Sequence, residues 1–398
     1  VEQTLVMLVG MADTVMVSKL GDAAVSGVSL VDQICNVIIA LLAALATGGA
    51  VVASQMIGAN RRDDACRVSN QLVLVVSGVA LAIMVPVLAF RQQLLSLMFQ
   101  QVEPDVMSNA LTYLEITAIS YPFIAIYNAG TALYRSMNRS NTTMKVSMLV
   151  NVINIGGNAL FVYGLGSGVE GVAIPTLVSR MTGAVCMMLL LRDRHLQLHL
   201  TPGAWKPNLQ MMKHILGIGI PNGLENSLFQ LGRLLVVGVI TAFGTVQITA
   251  NAVANVMDSI GVLPGQAMNL AIITVVGQCV GAGDYKQARY YIKKLLLWAY
   301  IGTWMVNIPL LSLLRVILPI FKVSGDALNL AWILIMMHNG VASLLWPLAF
   351  VLPNALRAAS DVNTRWWSRL HRWRCSGFYS AIFSVSGSAG AQSASGSP

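Results

Sequence analysis

Apolar residues run along this chain in stretches of about twenty or more, each closed by a short cluster of polar, charged or glycine residues. The stretches fall near residues 1–18, 26–57, 68–98, 108–134, 144–164, 170–191, 213–243, 248–281, 291–319 and 328–356. A helix needs about 20 apolar residues to cross a hydrocarbon core about 30 Å thick, so the pattern predicts about ten membrane-spanning helices. The runs are continuous rather than alternating, which argues against a transmembrane β-barrel.

Polar positions then orient the spans. One set of alternate connecting segments carries Arg61, Arg62, Arg67, Arg135, Arg139, Lys145, Arg192, Arg194, Lys206, Lys213, Lys286, Arg289, Lys293, Lys294 and Arg357, fifteen basic residues in all. The other set carries four: Lys19, Arg91, Arg315 and Lys322. Basic residues collect on the cytoplasmic side, so segments such as GANRRDDACR and GAGDYKQARYYIKK are predicted to face the cytoplasm.

The pattern also repeats. A shift of 223 residues places Gly21 on Gly244, Gln55 on Gln278, Gly58-Ala59 on Gly281-Ala282, Ala65 on Ala288, Glu2 on Glu225 and Leu5 on Leu228. A shift of 222 pairs Arg135 with Arg357. The matches fall on polar and glycine positions rather than on leucine or valine, and the offset spans an even number of helices, so both halves share one topology. The expected fold is an all-α polytopic membrane protein. It consists of two six-helix bundles related by a pseudo-twofold axis along the membrane normal, a twelve-span design of which about ten spans are present. The expected domains are an N-terminal bundle over 1–194, a cytoplasmic linker over 195–212, a C-terminal bundle over 213–362 and a tail over 363–398.

Composition narrows the class. Of 398 residues, 56% are hydrophobic and 10% charged, too few polar side chains to cover a water-facing surface, so a soluble domain and a disordered chain are both excluded. The net charge of +9 does not indicate nucleic-acid binding, because Arg365, Arg369, Arg372 and Arg374 crowd the tail and leave +5 over residues 1–362. The five cysteines (Cys35, Cys66, Cys186, Cys279 and Cys375) form no CxxC or Cys/His cluster, so neither a disulfide framework nor a zinc site is implied. No GxxxxGK[ST], HExxH or GxSxG motif occurs, which leaves hydrolytic enzymes without support. The chain opens on Val1 inside an apolar run, and we expect its N-terminus to be missing.

Six separated segments carry a family likeness: VGMADTVMVSKLGDAAVSGVSL, SQMIGANRRDDA, NVINIGGNALFVYG, GIPNGLENSLFQLGRLLV, VGQCVGAGDYKQA and VLPNALRAASDV. Together, in this order over roughly residues 1–362, they resemble the multidrug and toxic compound extrusion (MATE) family. The resemblance implies a secondary antiporter that exports organic compounds in exchange for sodium ions or protons. A lipid-linked saccharide flippase of the same superfamily is the alternative, although such a protein would need a strongly cationic cavity.

Charges inside spans cost at least about 2.5–3.5 kcal/mol each on insertion scales, so they are functional candidates. Asp13 sits among Gly10, Met11, Ala12 and Val15, where an acid can alternate between protonated and ionised forms, and it matches the family's first-helix aspartate. Glu225 follows Pro221-Asn222-Gly223, read as a helix interruption, and resembles the family's seventh-helix glutamate. Arg233 lies eight residues further on, about 12 Å along a helix axis. Asn151, Asn154 and Asn158 form one stripe in the fifth span. The resemblance implies that Asn154, Asn158, Thr176 and Asp13 surround the coupling ion; Asn158 stands where archaeal-type members often have an aspartate, which removes one negative charge. Asp32 and Asp258 are expected within the first turns of their spans, as caps or as substrate-cavity acids. Arg233 and His338 complete the candidate substrate cavity, and Arg180 is expected to snorkel to an interface.

After Val362 the sequence turns basic, tryptophan-rich and then Ser/Gly/Ala-rich, with no apolar run near twenty residues, so it cannot supply the last two spans. A frameshift near residue 363 is the expectation, and a chain that transports nothing is its corollary. The remaining expectations are a monomer in the inner membrane, small organic substrates and membrane lipid as partners, no nucleic acid, no metal site, and no cofactor beyond a coupling sodium ion or proton.

Overall fold

The computed structural model describes residues 16–98, 103–201, 205–241, 243–321 and 325–359. Asp13 and the tail beyond residue 359 lie outside the described residues. Among the described residues there is no strand, and eight helices are long and apolar enough to cross a membrane, or nine if one bent pair is a single span. The chain divides into two compact units, Val1–Ser227 and Leu228–Pro398. This division falls inside a helix.

In the first unit, α1 (Asp22–Gly58) packs against α2 (Arg62–Ala89), and against α4 (Pro104–Ile119) and α5 (Tyr121–Ser136). The short α3 (Arg91–Met98) follows α2. Next come α6 (Ser140–Ala159), which closes in a wide π-type turn at Leu160–Gly164, and α7 (Glu170–Leu190). The following helix, α8 (Leu209–Thr241), starts in this unit. Small residues let backbones meet, as apolar helices require when no water drives them together. A Cβ on Gly48 would lie 2.8 Å from the Gly219 nitrogen, and Asn222 Nδ2 donates to the Ala44 carbonyl at 3.4 Å. Pro221 lies inside α8 without ending it, so the expected interruption is a missing backbone donor within a continuous helix.

The second unit holds the rest of α8, then α9 (Thr245–Gly281), α10 (Tyr285–Ser312), short helical segments over 314–321, and α11 (Gly325–Trp346). A π-type turn at Pro347–Val351 leads into α12 (Leu352–Ala358). Its apolar core joins Val253 and Met257 of α9 to Leu310 of α10, and to Leu314, Leu318 and Ile335.

The repeat is visible residue by residue. Helices α1 and α9 each have 37 residues, and α2 and α10 each have 28. Gly21 (φ 97°, ψ 168°) and Gly244 (φ 108°, ψ 178°) open the longer pair in a backbone region open essentially to glycine alone. Asn60 (φ 58°) and Gly283 (φ 74°) turn the corner into the shorter pair, and Pro86 and Pro309 sit near its ends.

Proline also explains where predicted spans break. The single run at 108–134 is two helices bent by 46° at Ser120, because Pro122 cannot donate to the Ala118 carbonyl. In the second unit the corresponding stretch, Gly325–Ala358, counts as one span of 34 residues. There Pro347 cannot donate to Ser343, and Trp304 Nε1 supplies the missing bond at 3.0 Å while the Tyr300 hydroxyl donates to the Leu344 carbonyl at 2.7 Å.

The linker is held to α2 by side chains that imitate a strand neighbour. Asn70 exchanges two bonds with Thr201, at 2.9 and 3.1 Å, and Gln71 bonds Lys206 O and Asn208 N, both at 2.9 Å. Arg62 donates to the carbonyls of Arg194 and Leu196, while Leu196 and Leu198 are buried.

Candidate functional site

Three polar clusters lie within the apolar bundles. The first joins α6 and α7. Asn154 Nδ2 donates to Thr176 Oγ1 at 3.1 Å, Asn158 Nδ2 donates to Asn154 Oδ1 at 3.4 Å, and Thr176 Oγ1 donates back to the Val172 carbonyl at 2.8 Å. Asn154, Asn158 and Thr176 are buried, whereas Asn151 is half-buried. The helices approach closely here, since a Cβ on Gly157 would lie 2.7 Å from the Pro175 side chain. Of the residues that the stripe and the resemblance select, Asn154, Asn158 and Thr176 share one network of amide and hydroxyl groups; Asn151 makes none of these bonds, and Asp13 lies outside the described residues.

The second cluster surrounds the α4–α5 bend. Asp32 lies ten residues into α1, about 15 Å from its start, so the first-turn placement is corrected: the helix begins at Asp22, earlier than the apolar run suggests. The Tyr113 hydroxyl donates to Asp32 Oδ1 at 3.2 Å. One turn on, Cys35 Sγ lies 3.4 Å from the Tyr121 hydroxyl. Arg180 reaches in from α7 and donates through Nη1 to Ser120 Oγ at 2.7 Å. Its guanidinium therefore serves the bend rather than snorkelling to an interface.

The third cluster belongs to the second unit. Asp258 lies thirteen residues into α9, about 20 Å from its start, and so is no first-turn cap either. Its Oδ1 stands 3.1 Å from His338 Nδ1 on α11. Arg233 Nη2 donates to Asn255 Oδ1 at 3.0 Å, one turn before Asp258. Deeper in, Asn307 Nδ2 donates to the Gly261 carbonyl at 3.3 Å and its Oδ1 accepts from Asn339 Nδ2 at 3.4 Å. A Cβ at residue 261 would lie 2.4 Å from Asn307 Oδ1, so any larger residue there has to displace this amide. Glu225 is half-buried in the first unit, while Arg233 is exposed and counted with the second.

Sequence reasoning misses Tyr113, Ser120, Tyr121, Asn255, Asn307 and Asn339. The repeat contains a signal for part of this set, since a shift of 223 places Asp32 on Asn255 and Cys35 on Asp258. Among the described residues no group of three or more His, Cys, Asp or Glu side chains could hold a metal ion.

Apolar spans that sink carboxylates, guanidinium groups and amides into their bundles, within a repeated chain, have the build of a two-repeat membrane transporter. Comparison with known proteins specifies which kind. The MatE family model matches residues 1–160 and 221–365, so the chain belongs to the MatE family of membrane transporters. Among curated relatives, "Uncharacterized transporter YisQ" of Bacillus subtilis is 26% identical over 371 residues, covering 91% of this chain and 80% of its own length. "Probable multidrug resistance protein NorM" of Thermotoga maritima is 28% identical over 299 residues, covering 74% of this chain and 63% of its own length. Among solved structures, a MOP superfamily transporter from Pyrococcus furiosus superposes with a TM-score of 0.86 at 21% identity, covering 98% of this chain and 87% of that one. An outward-facing multidrug resistance MATE family transporter gives 0.84 at 20% identity, covering 96% and 85%. At these identities the structural likeness carries the fold alone.

Proposed function

We propose that this chain is a secondary active antiporter of the cell's inner membrane that exports organic, cationic or amphiphilic compounds in exchange for sodium ions or protons. The observation that carries the reading is the buried Asn154–Asn158–Thr176 network. Inside an apolar bundle it gathers amide and hydroxyl oxygens that can replace part of a cation's hydration shell. The multidrug-resistance name of the Thermotoga relative supports the export of organic compounds. In this reading Asp13, Glu225, Asn154, Asn158 and Thr176 serve cation coupling, and Asp32, Asp258, Arg233 and His338 serve substrate recognition. Cation binding would favour one conformation over the other by its differential affinity.

Proteoliposomes containing the chain, loaded with a fluorescent organic cation and given separate sodium and proton gradients, test this. Gradient-driven movement of the dye is expected under one of the two ions. Equal dye flux with and without both gradients would refute the antiport reading.

A further inference from the structure

The first unit's polar cluster holds an acid and a base that do not close on each other. Arg180 lies within electrostatic reach of Asp32, Cys35 and Tyr121. Among the described residues, however, no carboxylate lies within 4.0 Å of its guanidinium. A direct ion pair buried in a medium of low dielectric has to offset the desolvation of both charges. Here each is engaged by a neutral hydroxyl instead: Tyr113 bonds Asp32, and Ser120 at the helix bend bonds Arg180. The second unit behaves differently, since Asp258 has closed on His338 at 3.1 Å.

What remains unused defines a ligand. A guanidinium has five N–H donors and a carboxylate accepts at both oxygens, so one side-chain bond each among the described residues leaves most of their capacity open. Asp32 and Arg180 are both half-buried, whereas Tyr113, Ser120 and Tyr121 around them are buried. A lone cation approaching Asp32 meets repulsion from Arg180, and a lone anion approaching Arg180 meets repulsion from Asp32. A molecule bearing both charges satisfies both groups.

We propose that Asp32, Tyr113, Ser120 and Arg180 form a dipolar subsite for zwitterionic amphiphiles, with an ammonium on Asp32 and a carboxylate on Arg180. As a statement about what is exported, this rests on the antiport reading; as a statement about binding, it does not.

The test uses the full chain in detergent and three probes: Nε-dansyl-lysine, its methyl ester, which lacks the carboxylate charge, and its Nα-acetyl derivative, which lacks the ammonium. Fluorescence titration is expected to show the zwitterion binding about tenfold or more tighter than either derivative, the scale of one charge-assisted bond. Arg180→Gln should abolish the preference over the methyl ester, Asp32→Asn should abolish the preference over the acetyl derivative, and Arg180→Lys should recover part of the first. Equal affinity of the unmutated chain for all three probes overturns the proposal, even if the variants fail to fold. So does a preference that survives Arg180→Gln. Gradient-driven flux without zwitterion preference sinks the subsite and leaves antiport standing, whereas zwitterion preference without gradient-driven flux does the reverse.

Discussion

Replacing Gly21 or Gly244 by alanine tests the repeat at its two helix starts. Both residues have φ near 100° and ψ near 170°, a region that costs a residue with a Cβ about 1–3 kcal/mol. Packing adds nothing: no atom lies within 4 Å of an added Cβ on Gly21, and on Gly244 the nearest is the flexible Gln247 Oε1 at 3.5 Å. The cost is therefore purely one of backbone, and it should be equal in the two units. At about 2–4 °C per kcal/mol for a domain of this size, each variant should melt roughly 2–12 °C lower, and the two effects should add. Gly283 is the internal control. Its φ of 74° is the left-handed region that its repeat partner Asn60 already occupies, so Gly283→Asn should change the midpoint by under about 2 °C. Thermal unfolding of the purified chain in detergent, followed by fluorescence-detected size exclusion, reads all three. A harmless Gly244→Ala, or a Gly283→Asn as damaging as Gly21→Ala, would refute the reasoning.

Three further outcomes are expected. Asp13→Asn and Asn154→Leu should each reduce ion-driven efflux at least about tenfold at unchanged expression; normal efflux by both would remove the first unit from coupling. For the Asp258–His338 contact, Asp258→Asn and His338→Gln should each destabilise the chain, and the double variant should cost less than their sum by about 1 kcal/mol; strict additivity in the thermal midpoints would show that the two groups do not interact. Trp304→Phe leaves the Ser343 carbonyl without its donor, a loss of about 1 kcal/mol, and should speed amide hydrogen exchange around Pro347–Val351 while leaving α1 unaffected.

The length and order of the spans were legible in the apolar runs, because insertion into a membrane depends on local composition over about twenty residues. The helix starts were read several residues late at Asp22 and Thr245, since polar residues continue a helix that apolar content alone would not include. For Asp32 that displacement, four residues, shortens the apparent distance into the helix from ten residues to six; Asp258 lies ten residues in even from the start of its apolar run, so its position alone already excludes a first-turn cap. Breaks such as the 46° bend at Ser120 were written locally in Pro122, but whether a proline ends, bends or merely thins a helix depends on which neighbours supply the missing donors. Trp304 and Tyr300 supply them at Pro347.

The sequence by itself thus determined the class of the protein, its internal repeat and the amide stripe of the fifth span, each a property of composition or spacing along one stretch of chain. The tertiary structure alone decided which polar groups meet. Asp32 finds Tyr113 81 residues away, Arg180 finds Ser120 60 residues away, and Asp258 faces His338 from another helix. Such partnerships depend on the rotation and approach of separate helices, which small residues such as Gly48, Gly157 and Gly261 permit and no single apolar run records.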